Sequence, residues 1–102
     1  MQIVWNQEVI EQMRKTQTLL ELETFVIEGK PTKTYCVIPA EKLLADLPTL
    51  DALSALHNEY LVVLKAKDVE RCEFLAAQLR GRFGGDLDTF YDETILRLKT
   101  TT

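Results

Sequence analysis

Residues 60–83 read YLVVLKAKDVERCEFLAAQLRGRF, and no other stretch limits the possible folds as much. The apolar run Leu61 to Leu64 is too short to make a helix of its own and predicts a buried strand. Asp68 suits the N-cap of a helix, because its carboxylate can accept from the free N–H groups of the first turn. Gly84-Gly85 supplies the residue type that a left-handed helix C-terminus needs. On a helical wheel Val69, Cys72, Leu75, Ala76, Leu79 and Phe83 fall within one arc of about 120°, which predicts the packed face. Phe74 projects opposite that arc. Arg71, Gln78 and Arg82 flank it on one side, and Glu70, Ala77 and Gly81 on the other. An aromatic among arginines and small residues has the composition of a contact surface.

A chain of 102 residues is expected to form a single domain, 1–102, with a core small enough that self-association is a reasonable supplement. Apolar residues make up 46% and charged residues 27%, a balance that argues against disorder. No run approaches the roughly 18 apolar residues of a membrane span. The N-terminal residues lack the basic start and apolar core of a signal peptide, which makes the cytoplasm the default address. Cys36 and Cys72 belong to no CxxC or Cys/His cluster and are expected as reduced, buried thiols. The net charge of −4 disfavours nonspecific binding to nucleic acid. Charge is segmental, however. Residues 65–83 carry five cations against three carboxylates, between acidic segments on either side.

Along the chain, Gln2 to Trp5 suits a short strand or a packed tail, and Asn6 an N-cap for a helix reaching about Thr16. Thr18 to Glu28 alternates like a strand, with Leu20, Leu22 and Val26 on one face. Glu21 and Glu23 share the other face with Leu19, Phe25 and Ile27, and the later half of that face is expected to be covered. Gly29 to Thr32 reads as a turn and Lys33 to Ile38 as the returning strand. Pro39 opens a short helix to about Asp46, and Leu50, Leu53 and Leu56 suit a second one. Thr94 to Lys99 alternates Leu96 and Leu98 against Ile95, Arg97 and Lys99, which predicts a last strand. The fold expected is therefore α+β: a two-layer sandwich with a mostly antiparallel sheet of about four strands, helices mainly on one face, and a right-handed crossover if strands 61–64 and 94–99 are parallel.

Chemistry-bearing patterns are sparse. His57 is the single histidine and has no sequence neighbour that completes a catalytic pair. A site assembled from His57, Tyr60, Cys36, Cys72 or the 86–93 acids stays open as an alternative, because catalytic partners need not be adjacent in sequence. Asp86-Leu-Asp88 begins like a calcium loop, but Tyr91 stands where glycine is required and Arg97 where the bidentate glutamate belongs. Arg80-Gly-Arg-Phe-Gly-Gly85 resembles a fragment of an arginine–glycine motif. Nucleic-acid binding through Lys65, Lys67, Arg71, Arg80 and Arg82 is the third alternative, disfavoured by the acidic balance. Carboxylates already stand at the predicted helix N-termini and would repel phosphate.

The leading expectation is a non-catalytic interaction or regulatory domain acting as a homodimer or as a subunit of an assembly. Its surface would be built from Phe74, Arg71, Ala77, Gln78, Gly81 and Arg82, with a protein partner or a second copy, no cofactor, no metal and no membrane contact.

Overall fold

A computed structural model describes residues 2–100. The chain is mixed α and β, with a three-stranded antiparallel sheet. It divides into two compact units, Met1–Leu44 and Ala45–Thr102.

The first unit contains β1 (Gln2–Val4), α1 (Gln7–Met13), β2 (Thr18–Ile27), β3 (Lys30–Ile38) and α2 (Ala40–Leu43), with sheet order β1-β3-β2. Asn6 caps α1 as expected: its side chain accepts from the Glu8 and Val9 N–H groups. The hairpin turn is tighter than the sequence suggested. Glu28 and Gly29 both have positive φ (51° and 77°), which is the backbone of a two-residue primed turn, and β3 therefore starts at Lys30 rather than Lys33. Pro31 is accommodated within β3 because β1 runs alongside that strand only at Tyr35, Cys36 and Val37.

Between Glu21 and Thr24 the pairing register slips by one residue, leaving Leu22 and Glu23 opposite Thr34. The Thr34 hydroxyl donates to the Glu23 carbonyl at this bulge (2.7 Å). The bulge corrects the expected faces. Leu20 pairs with Cys36 and Phe25 with Thr32, so Phe25, not Val26, continues the Leu20 face. Neither end residue is covered: Phe25 is half exposed and Val26 is 75% exposed. Leu20, Leu22, Cys36, Val37 and Ile38 are buried.

The second unit is helical: α3 (Leu50–Lys65), α4 (Val69–Leu79) and α5 (Asp88–Thr100), with short 3₁₀ turns at Leu47–Thr49 and Phe83–Gly85. Two expected strands are helices, and with them go the fourth strand and the crossover. Leu61 to Leu64 forms the last full turn of α3. Its buried residues Leu53, His57, Tyr60 and Leu61 follow the helical stripe, and Val62 points to solvent. α3 therefore runs on to Lys65 instead of stopping near His57, and it ends without glycine. Lys67 takes the left-handed conformation (φ 59°), with the Asp68 N–H on the Val63 carbonyl and the Lys67 N–H on the Leu64 carbonyl.

Thr94 to Lys99 lies within α5, whose buried residues Phe90, Tyr91, Thr94, Ile95 and Leu98 recur at three and four. The alternating reading paired Leu96 with Leu98. In the helix Leu96 is exposed and Leu98 buried.

Asp68 caps α4 by accepting from the Arg71 N–H, and Cys72, Leu75, Ala76 and Leu79 are buried as the wheel predicts. The glycine that ends α4 is Gly81, not Gly84-Gly85. Arg80 (φ −62°, ψ 137°) and Gly81 (φ 77°) form a type II turn closed by the Arg82 N–H on the Leu79 carbonyl. Among the described residues no helix is long and apolar enough to cross a membrane.

Candidate functional site

Helix α4 is held on both flanks. The Arg71 guanidinium donates to Glu59 of α3 (2.8 Å), and Glu73 pairs with Lys99 of α5 (2.7 Å). Arg80 pairs with Asp92 of α5. These pairs are largely solvent-exposed and contribute at most about 1 kcal/mol each. Their effect is to fix how α4 is turned, and that orientation leaves Phe74 outside. The Phe74 ring is 56% exposed, with the Arg71 guanidinium over its face at 5.1 Å from the centroid. A cation lying on a ring fixes its rotamer and partly covers its apolar face.

One to two turns further along α4, the same face opens into a groove of about 620 Å³, within the range of ligand-sized clefts. One wall is Thr49, Ala52, Leu53 and Leu56, from the start of α3. The other is Ala77, Gln78, Arg80, Gly81 and Arg82. Four of the six residues expected to form a contact surface, Ala77, Gln78, Gly81 and Arg82, thus share this groove. Phe74 and Arg71 stand together beside one another on the same helix, outside the groove lining. The α3 wall was missed because residues 50–64 were divided between a helix and a strand. The leucine spacing at 50, 53 and 56 is the signal that marks this wall.

At the Arg82 end of the groove, Asp46 is almost fully buried and accepts from the Phe83 N–H (3.0 Å) and from Arg82 Nη1 (3.2 Å). The Gly81 N–H donates to Asp88 (2.9 Å). The loop after α4 is therefore tied down by carboxylates from two other segments of its unit.

His57 is fully buried inside α3, not near a helix end. Its Nδ1 lies 2.9 Å from the Tyr91 hydroxyl, and the rings of Phe83, Phe90 and Tyr91 pack edge-on or tilted around it. Tyr60 is fully buried with its hydroxyl 2.5 Å from Thr94 Oγ1, and Thr94 donates in turn to the Phe90 carbonyl. These groups satisfy one another within the core, where His57, Tyr60, Tyr91 and Thr94 are at most 2% exposed. Of the acidic segment 86–93, residues 88–93 lie in α5, and Asp88 and Asp92 are engaged with Gly81 and Arg80. Among the described residues no group of three or more His, Cys, Asp or Glu side chains is placed to hold a metal ion.

Both cysteines are buried thiols: Cys36 in β3 and Cys72 in α4. Burial pushes the Cys72 thiol above its ordinary value, and the nearby Asp68 carboxylate adds to the shift. A raised folded-state pKa means that the neutral thiol supports the fold. That contribution is complete below the unfolded thiol pKa of about 8.5 and fades as pH rises toward the folded value. The stability difference between the wild type and Cys72→Ala should therefore narrow from about pH 8.5 upward. Thiol labelling of Cys72 in the native protein should be slow. A difference that stays flat from neutral pH to pH ~10, together with fast native labelling, would show the thiol to be solvated and ionisable.

A second apolar hollow, of about 210 Å³, lies in the first unit and is lined by Ile3, Val4, Trp5, Asn6 and Val9. Trp5 is 55% exposed there, directly after β1, the short strand expected of this segment. An exposed Trp beside alternating apolar residues was the available signal. No family model, no curated protein and no solved structure matches this chain.

Proposed function

We propose that the protein is a non-catalytic interaction or regulatory module, a single domain acting as a homodimer or as a subunit of a larger assembly, in the cytoplasm. Its contact surface is the face of α4 that carries Arg71, Phe74, Ala77, Gln78, Gly81 and Arg82. The observation that carries this reading is the Phe74 ring, exposed to 56% on a helix whose opposite face is packed from Cys72 to Leu79. Leaving a large aromatic in water forgoes burial worth roughly 1.5–3 kcal/mol, which an intermolecular contact would recover. The Arg71 stack presents the ring in one orientation, so little side-chain freedom remains to be lost on binding.

The competing readings receive less support. His57 and Tyr60 are consumed by core hydrogen bonds, which weakens a His57-centred enzyme, and Arg71 stands outside the groove that Arg80 and Arg82 line, so the cations are divided between two places rather than forming one nucleic-acid stripe.

The test is Phe74→Glu, followed by light scattering and thermal melting. The variant should lose self-association or partner capture by about 2 kcal/mol or more, typical for an aromatic anchor, while melting within a few degrees of the wild type. A large fall in melting temperature at unchanged molecular mass would eliminate this face as an intermolecular surface.

A further inference from the structure

We infer that the groove between α3 and α4 accepts an acidic peptide segment of a protein partner, with apolar side chains next to its carboxylates. The inference rests on the interaction reading above and adds the chemistry of the partner. Ala52, Leu53, Leu56 and Ala77 give the groove an apolar base, small enough at the two alanines for a backbone to come close. Its charged lining is one-signed: Arg80 and Arg82 line it, and no carboxylate does. Asp46, Asp88 and Asp92 are bonded to this loop but lie outside the groove lining. Arg82 uses Nη1 on Asp46 and Arg80 uses Nη2 on Asp92, and both arginine side chains remain about half exposed. A guanidinium has five N–H donors, so each keeps donors for a second carboxylate. The carboxylates already in place hold the forks still, which reduces the ordering that a ligand must impose. The volume, about 620 Å³, suits a few peptide side chains.

The experiment selects from a random peptide library displayed on phage against the full-length protein. Selected sequences are then measured as fluorescein-labelled peptides by anisotropy. Enriched peptides should combine Asp or Glu with Leu, Ile or Phe. Replacing their acids by Asn or Gln should weaken binding by about tenfold or more, as should Arg80→Gln, whose exposed ion pair makes it safe for the fold. Ala77→Trp, at an exposed position, should fill the groove and abolish binding while circular dichroism stays unchanged. Enrichment of neutral or basic peptides, no enrichment, survival of binding in Ala77→Trp, or displacement of the peptide by inorganic phosphate or RNA would each overturn the inference. If Phe74-dependent association persists in any of those cases, the interaction reading stands and only the acidic partner falls. If acidic peptides bind in the groove while Phe74→Glu changes nothing, the groove stands and the Phe74 anchor falls.

Discussion

Phe83→Ala is expected to lower the free energy of unfolding by about 3–5 kcal/mol, the range for emptying a fully buried aromatic position. Phe83 has no exposed surface, and its ring meets His57 edge-on with centroids 6.5 Å apart. Alanine there would remove the ring contact and leave a void beside His57 that α3 cannot close without moving. Against a typical total stability of 5–15 kcal/mol the loss is large. Urea denaturation measures it. A change below about 1 kcal/mol would mean that the aromatic cluster of Tyr60, Phe83, Phe90 and Tyr91 is not a packed core.

Asp46→Ala should cost about 2–3 kcal/mol, and nearly all of it should come from one bond. Asp46 accepts from the buried Phe83 N–H and from the Arg82 guanidinium, whose side chain is half exposed. Losing the carboxylate strands the N–H without an acceptor but returns the guanidinium to water. Arg82→Ala should cost less, about 1–2 kcal/mol, because it leaves the nearly buried Asp46 carboxylate with one donor fewer, and Asp46→Asn, which keeps one acceptor oxygen, should fall in between. Equal costs for Asp46→Ala and Arg82→Ala, measured as chemical-denaturation midpoints, would show that the ion pair rather than the backbone bond holds this turn.

Where a local signal had a unique structural solution, the sequence was readable. Asn6 and Asp68 cap the helices that follow them, a glycine turn closes a hairpin, though at Glu28-Gly29 rather than over 29–32, and the stripe from Cys72 to Leu79 faces inward. The readings of 61–64 and 94–99 failed for specific reasons. Four consecutive apolar residues carry no period, and α3 ends at Lys65 with Lys67 just beyond it in a left-handed conformation, without the glycine that usually marks such an end. In α5, Thr94 is a buried polar residue made tolerable by the Tyr60 hydroxyl and the Phe90 carbonyl, partners that no sequence window contains. Exposed Leu96 then completed a false alternation. The candidate surface was half legible. Phe74 stands out because it breaks the stripe of its own helix, but the opposing wall of the groove belongs to α3 and depended on the misread segment.

The bulge opposite Thr34 changes which residues of β2 share a face. Up to Leu22 the even-numbered residues of β2 share the face of Leu20, and from Phe25 onward the odd-numbered ones do. Removing one residue at Leu22–Glu23 would cancel the slip and let the hairpin pair in one continuous register. Phe25 would stay opposite Thr32 and on the Leu20 face, Val26 would stay on the other, and only the local kink and extra twist of the bulge would go. At the bulge, the loss of one residue straightens the strand and leaves every outer side chain on its present face.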